Sequence, residues 1–230
     1  MPTSPPPHRH PPRVALLAGT TGLVGRALLP LLLESPHYAR VHALLRRSAP
    51  TLPTSDKLAL HLVDFSHLPP PCPAADDVYI ALGTTIKVAG SEAAFRHIDF
   101  DAVVSTARAA RAAGATRLAV VSALGADASS RVFYNRVKGQ MQQAVAGLGY
   151  DSVVIAQPSL LVGDRHALGQ PARAGEEWAW RLLRPVLPLV PRGVRPIAAT
   201  TVARAMLHAM LEARPEVRIL GSGRMQEMGR

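Results

Sequence analysis

The sequence predicts an α/β fold in which a doubly wound parallel sheet carries helices on both faces. Short apolar runs alternate with longer segments of helical periodicity, and this alternation is typical of strands joined by crossover helices. The polar and glycine residues follow the apolar runs directly. Since such sheets bind ligands at the carboxyl ends of their strands, one edge of the sheet is expected to carry the chemistry.

The first predicted strand is the apolar run 14–18, and a glycine-rich turn follows it. Gly19, Gly22 and Gly25 lie three residues apart, and the first helix is predicted over Leu23–Glu34, with Pro30 either kinking it or ending it early. Such a turn presents backbone N–H groups and a helix N-terminus to a pyrophosphate. The spacing is GxxGxxG rather than GxGxxG, so glycines that serve only helix–sheet packing are the alternative.

The other predicted elements follow in order along the chain. Strands are predicted over 41–45, 58–63, 78–82, 118–121, 152–156 and 217–220, and helices over 91–113, 129–148, 176–183 and 200–212. Residues 1–12 are rich in proline and histidine and are expected to be disordered. We therefore predict one domain over 13–230, with a small appendage on the substrate side at about 159–215.

Composition indicates which general class of protein this chain belongs to. The 230 residues are 48% hydrophobic and 18% charged, which is typical of a soluble globular chain. The apolar run near the N-terminus is interrupted by glycines and by Arg26, so no membrane span is expected. With Cys72 as the one cysteine, no intramolecular disulfide can form, and the histidines show no spacing typical of a metal site. A cytoplasmic location is the simplest expectation.

The net charge of +10 raises the hypothesis of a nucleic-acid partner. The arginines are scattered singly or in pairs, and only 4% of the residues are aromatic. A nucleic-acid face needs clustered basic residues or stacking platforms. A nucleic-acid partner is therefore not expected, and a small-molecule substrate is.

A second group of residues predicts proton transfer. Ser122 ends a predicted strand, and Tyr134 and Lys138 share a face of the helix that follows. A phenol with a pKa of about 10 is a poor catalyst at neutral pH, and a neighbouring ammonium would stabilise the phenolate. The lysine can also donate to ribose hydroxyls, and the serine can hold a substrate oxygen. A chance YxxxK with a surface lysine is the alternative.

With these residues in place, the chain resembles the atypical branch of the short-chain dehydrogenase/reductase superfamily. The likeness is to the Tat-interacting-protein-like oxidoreductases and to bacterial relatives called NAD(P)H-binding or epimerase/dehydratase-like, and it covers about residues 13–220. It rests on GTTGLVG (19–25), LVDF (62–65), ALGTTIKVAGSEAAFRHID (81–99), VSALGAD (121–127), YNRVK (134–138) and QPSLLVGDR (157–165).

The resemblance implies an NAD(P)-binding Rossmann fold and assigns roles to individual positions. Ser122, Tyr134 and Lys138 match the catalytic residues of the family. The implied cofactor contacts are Gly19, Thr21, Gly22, Leu23, Val24 and Gly25 at the pyrophosphate, Asp64 and Phe65 at the adenine edge, Leu82, Gly83 and Thr84 at the riboses, and Pro158, Ser159 and Leu160 at the nicotinamide. A strand cap at Asp64 and a turn at Thr84 are the alternatives.

Arg46 and Arg47 give a clue to the cofactor that does not depend on the family. They lie about 20 residues beyond the glycine loop, at the end of the second predicted strand. A carboxylate there would accept from a ribose 2′-OH, whereas arginine accommodates a 2′-phosphate. Because no acid occurs between Glu34 and Asp56, NADP(H) is favoured over NAD(H). Two solvent-exposed arginines are the alternative.

The first functional prediction is an NADP-dependent oxidoreductase with Tyr134 as the general acid/base. The alternatives are an NADP(H)-binding regulatory protein with little or no turnover, and an NAD(P)-dependent epimerase/dehydratase-like enzyme that would use the same three residues. The sequence specifies neither the substrate nor the oligomeric state, for which a monomer or a homodimer is expected.

Overall fold

The computed structural model describes residues 11–66, 68, 71–163, 191 and 193–229. Most of the predicted N-terminal tail, residues 1–10, lies outside this range. So do the helix predicted over 176–183 and its two tryptophans, Trp178 and Trp180.

A seven-stranded parallel sheet forms the centre of the molecule. Its strands are β1 Arg13–Ala18, β2 Tyr38–Leu45, β3 Leu58–Leu62, β4 Asp77–Ile80, β5 Arg117–Val121, β6 Ser152–Gln157 and β9 Val217–Gly221. They lie in the order β3-β2-β1-β4-β5-β6-β9. A second, two-stranded sheet pairs β7 Leu161–Val162 with β8 Ile197–Ala198. The strand order reverses between β1 and β4, and this switch point is where doubly wound sheets bind ligands.

Helices cover both faces of the sheet, as the alternating pattern predicts. They are α1 Leu23–Glu34, α2 Ile86–Ala89, α3 Glu92–Arg96, a π-helix His97–Ala102, α4 Val103–Ala112, α5 Phe133–Ala146, α6 Ala199–Glu212 and α7 Ser222–Met228. One buried cluster joins the sheet to α1 and α6, and the other joins the opposite face to α4 and α5. The fold is a three-layer Rossmann arrangement.

Two predicted helices differ from the structure in instructive ways. The helical stretch over 91–113 is nearly continuous, but its middle is the π-helix, which the periodicity does not reveal. The helix predicted over 129–148 begins only at Phe133. The reason is local, since the Asp127 carboxylate accepts the Ser129 N–H at 2.9 Å and holds a turn there. Pro30 lies inside α1 and does not end it.

Candidate active site

The glycine loop after β1 has the geometry of a phosphate cradle. Gly19 adopts a φ of +93°, and a Cβ there would lie 2.5 Å from the backbone of Ala81. A Cβ on Gly25 would lie 2.0 Å from the carbonyl oxygen of Gly19. The loop can therefore turn this tightly against β4 and α1 only with glycine at these two positions.

The start of α1 leaves backbone donors for an anion. Gly22 is the N-cap residue, and no side chain caps the helix. The first turn contains no acidic residue, and the N–H groups of a first turn have no partner within their own helix. Together with the helix dipole, these donors favour a phosphate group. These residues, which include Thr21, Leu23 and Val24 of the predicted set, fit a dinucleotide pyrophosphate.

The residues predicted for the adenosine end follow β2 and β3. Arg46 and Arg47 are exposed directly after β2. Asp64 accepts the Ser66 N–H at 2.8 Å, a local capping contact just after β3 that agrees with the strand cap named as its alternative. Phe65 is half-buried against the cluster on the α4 side of the sheet. The two arginines are thus placed at the same sheet edge as the glycine loop.

The loop after β4 is tied to the π-helix by Asp99. One carboxylate oxygen of this side chain, Oδ2, accepts the Thr84 N–H at 2.8 Å. A Cβ on Gly83 would lie 3.3 Å from Asp99 Oδ1 and 3.8 Å from Lys138 Nζ. Gly83 and Thr84, which the resemblance places at the riboses together with Leu82, therefore lie beside the Lys138–Asp99 pair.

Lys138 is buried and forms an ion pair rather than pointing into solvent. Its Nζ lies 2.6 Å from Asp99 Oδ1, with 4% of the lysine side chain and 1% of the aspartate side chain exposed. A charged pair this deeply buried is stable only while both partners are present. This geometry disagrees with the alternative in which the YxxxK spacing arises by chance and the lysine lies on the surface.

Tyr134 differs from the expectation in its pKa. Burial, and then the negative charge of Asp99, raise the pKa of this phenol to about 12, whereas the sequence reasoning expected the Lys138 ammonium to favour the phenolate. Burial is the larger cause, because it disfavours the charged phenolate, and the Asp99 carboxylate that pairs with Lys138 adds to it. The Tyr134 ring itself packs against Phe95 with the centroids 5.3 Å apart.

Ser122 is held at the end of β5 by α5 and β6. Its N–H donates to Ala156 O at 2.7 Å. Its Oγ accepts from Gln142 Nε2 at 2.6 Å, and Gln157 Nε2 in turn donates to Gln142 Oε1 at 3.1 Å. Because a hydroxyl has one donor and two acceptor sites, the Ser122 O–H is left to donate to another oxygen.

The segment after β6 is hydrogen-bonded to the loop after β5 and to the C-terminal part of the chain. Pro158 O accepts the Leu124 N–H at 2.9 Å, and Leu160 O accepts the Ile197 N–H at 3.0 Å. The Ser159 hydroxyl contacts the backbone carbonyl of Arg195 and the hydroxyl of Ser222. Ser159 therefore uses its hydroxyl for contacts inside the protein. Leu160, at the predicted nicotinamide end, is 55% exposed.

Sequence reasoning missed Asp99 and Gln142 as site residues. Asp99 is an acid on the otherwise apolar, buried side of its helical stretch, four residues after Phe95. Gln142 follows Tyr134 and Lys138 at helical spacing on α5. A polar side chain at a buried helical position requires a partner, and that signal was present in the sequence.

Arg96 and Lys87, which belong to the motif at 81–99, take no part in these contacts. Arg96 donates to Gln140 Oε1 at 2.7 Å and stacks on Phe100, and Lys87 is exposed on α2. Within the described ranges, no group of three or more histidine, cysteine, aspartate or glutamate side chains is arranged to hold a metal ion. The helices described in the structure include none with the length and apolarity that crossing a membrane requires.

Comparison with protein families matches residues 19–160 to a family model described as NAD(P)H-binding. Among curated proteins, the chain is 36% identical over 162 residues to "Protein FMP52, mitochondrial" of Coccidioides immitis (strain RS), covering 65% of this chain and 66% of that protein. It is 33% identical over 207 residues to the protein of that name from Aspergillus fumigatus (strain ATCC MYA-4609 / CBS 101355 / FGSC A1100 / Af293), covering 86% of each. The chain thus spans from about two thirds to most of the length of these relatives.

Solved structures with the same fold include two that were determined with UDP-glucose. MoeE5 in complex with UDP-glucose and NAD superposes with a TM-score of 0.65 at 18% identity, covering 90% of this chain and 75% of MoeE5. A UDP-glucose 4-epimerase from Thermotoga maritima gives a TM-score of 0.66 at 15% identity, covering 92% and 77%. At these identities the likeness shows the Rossmann fold alone.

The expectation of a cytoplasmic location is contradicted by the curated relatives, which are named as mitochondrial proteins. The observations behind that expectation were a lone cysteine and an interrupted apolar run. Both describe a chain that needs no disulfide and no membrane span. Neither of them separates the cytoplasm from the inside of an organelle.

Proposed function

The chain belongs to the NAD(P)H-binding family, and from that membership we propose that it is an oxidoreductase that uses NADP(H) to interconvert a carbonyl compound and an alcohol. The observation that carries the proposal is the Lys138–Asp99–Thr84 contact. It joins the helix that bears Tyr134 to the loop after β4, at the sheet edge of the glycine cradle.

Ser122, Tyr134 and Lys138 have separate roles at this edge of the sheet. When bound, the dinucleotide supplies or accepts a hydride at its nicotinamide ring. The Ser122 hydroxyl donates a hydrogen bond to the substrate oxygen, and Tyr134 exchanges a proton with that oxygen. Lys138 keeps two N–H donors beyond its contact with Asp99, and these bind ribose hydroxyls.

The preference for NADP(H) is supported by Arg46 and Arg47. Both are exposed after β2, where a 2′-phosphate would gain charge-assisted hydrogen bonds from guanidinium groups. We also propose a mitochondrial location for this chain, because these relatives are named as mitochondrial proteins.

Tyr134→Phe tests the assignment of the general acid/base. We expect this variant to bind NADPH as the wild type does and to lose about 10²–10⁴-fold in turnover, because that is the usual contribution of a positioned proton donor. NADPH consumption against a panel of aldehydes and ketones measures turnover, and nicotinamide fluorescence measures binding.

Tyr150→Phe is the matched control, since it removes a phenol hydroxyl whose contact is the Ala107 carbonyl on the α4 side of the sheet. It should lose a little stability and retain turnover. If Tyr134→Phe instead turns over substrate like the wild type, Tyr134 is not the acid/base. If the wild type binds NADPH but reduces none of the carbonyl compounds, the result favours a regulatory cofactor-binding protein over an enzyme.

A further inference from the structure

A buried ion pair lies at Lys138, one helical turn beyond Tyr134 on α5. Lys138 Nζ lies 2.6 Å from Asp99 Oδ1, and both side chains are almost completely buried. Away from water, a carboxylate this close cancels most of the electrostatic effect of the ammonium on a neighbouring phenol. Lys138 alone would stabilise the Tyr134 phenolate, and the pair does not.

The other charged groups near Tyr134 do not take over the role of the lysine. On the helical stretch that includes the π-helix, Arg96 is engaged with Gln140 and Phe100. On α5, Arg136 donates to the carbonyl oxygens of Ser130 and Arg131. The ring that packs on Tyr134, Phe95, is apolar. Near these segments, Asp127 is exposed and bonded to Ser129, and His97 is bonded to Ser66 and paired with Asp101.

We propose that Asp99 is a positioning residue that, by pairing with Lys138, keeps Tyr134 protonated and so sets the site for carbonyl reduction at neutral pH. This inference rests on the proposed function, because the proton on Tyr134 directs a reaction only if Tyr134 serves as the acid/base. The raised pKa of the Tyr134 phenol agrees with it. The π-helix agrees as well, since an i→i+5 turn occurs frequently at functional sites and here contains Asp99.

The balance of the reductive step follows from the protonated phenol. Tyr134 gives its proton to the carbonyl oxygen while the carbonyl carbon gains a hydride from the reduced dinucleotide. The carbonyl is reduced to an alcohol, the dinucleotide is oxidised, and solvent returns a proton to the phenolate. Alcohol oxidation needs the phenolate as a base and is therefore expected only at alkaline pH.

Asp99→Asn tests the proposal without any substrate. The amide keeps an acceptor for the Thr84 N–H and removes the negative charge that faces Lys138. Tyrosinate absorbance near 295 nm, taken as the difference between each protein and the same protein carrying Tyr134→Phe, isolates this phenol from the other three tyrosines. We expect the Tyr134 titration midpoint in Asp99→Asn to fall by about one pH unit or more.

Asp101→Asn is the matched control, because it removes the same charge from the same π-helix at an exposed position paired with His97. It should leave the Tyr134 titration unchanged. The proposal is overturned if Asp99→Asn titrates like the wild type, or if Asp101→Asn shifts the midpoint equally.

A second measurement keeps the test decisive if Asp99→Asn does not fold. In wild-type protein labelled with ¹³Cζ-tyrosine, the resonance of Tyr134, assigned with Tyr134→Phe, should be that of a protonated phenol up to about pH 10. Phenolate at or below pH 8 would overturn the proposal. These readouts do not depend on turnover, so their failure is distinct from failure of the proposed function, which Tyr134→Phe turnover reports.

Discussion

At the scale of single residues, Gly25 is the position where one methyl group should do most damage to the cofactor cradle. A Cβ there would lie 2.0 Å from Gly19 O and 3.0 Å from Thr20 Cα, both of them backbone atoms that cannot move aside cheaply. We expect Gly25→Ala to abolish measurable NADPH binding and to destabilise the fold by about 1–3 kcal/mol, as overpacked sites do. Nicotinamide fluorescence and thermal unfolding measure the two effects.

Gly147→Ala provides the control for that experiment. Gly147 ends α5 with a φ of −84°, and a Cβ there would meet its neighbours at ordinary contact distances of 3.6 Å and more. It should bind NADPH normally and unfold at the same temperature or slightly higher. Normal NADPH binding by Gly25→Ala would show that the loop is not the phosphate cradle.

Residue-level prediction is strongest where a residue type carries its own geometric signature. Glycines at 19, 22 and 25 predicted the tight turn between β1 and α1, and the Tyr134–Lys138 spacing predicted that the two residues share a helix, as the structure has them. The predicted direction of the Tyr134 pKa was wrong because the pKa depends on burial and on Asp99, whose partner Lys138 lies 39 positions further along the chain. Local spacing gives no information about such a contact.

At the scale of elements, the pairing of the edge strand β3 with β2 is expected to weaken in acid. His42 Nδ1 and His61 Nε2 lie 2.8 Å apart across this pair of strands. Burial, followed by the facing His61 and by Arg40, lowers the pKa of His42, and burial and Arg40 lower that of His61. The hydrogen bond also requires at least one neutral imidazole.

The sign of the pH effect follows from these directions. The unfolded chain protonates both histidines near the ordinary pKa of about 6.5, whereas the folded state resists protonation until lower pH. The contribution of the pair is therefore present above about pH 6.5 and is lost as the pH falls below it. Since both rings are partly exposed, the unfolding temperature should fall by less than the roughly 2–4 °C that 1 kcal/mol would cause.

Thermal unfolding between pH 7.5 and 5 measures this dependence, and His61→Gln should flatten it. His208→Gln is the control, because His208 is exposed on α6 and pairs only with Glu212 among the contacts described. An unchanged slope in His61→Gln would exclude the histidine pair as its source.

The elements themselves were largely predictable because their boundaries are local. α1 lies at its predicted residues, and the core strands differ by a few residues at their ends. The π-helix was not predictable, since its apolar positions match an α-helix and the wider turn surrounds a buried ion pair. The start of α5 depends on a side-chain turn at Asp127 that competes with the helix.

At the scale of the whole molecule, the doubly wound parallel sheet with helices on both faces followed from the alternation of strands and helices. The identity of the substrate did not follow, because specificity lies in segments beyond the common sheet. The predicted cytoplasmic location was wrong because composition shows in which environments a chain can fold and not to which compartment the cell delivers it.

The most direct test of the account is a parallel titration of the wild-type protein with NADPH and NADH, followed by nicotinamide fluorescence. We expect NADPH to bind at least about tenfold more tightly, a difference of about 1.4 kcal/mol. The double variant Arg46→Ala with Arg47→Ala should remove that difference, and Arg108→Ala, an exposed arginine on α4, should preserve it. Equal binding of the two nucleotides would contradict the arginine assignment, and binding of neither would contradict the proposed function.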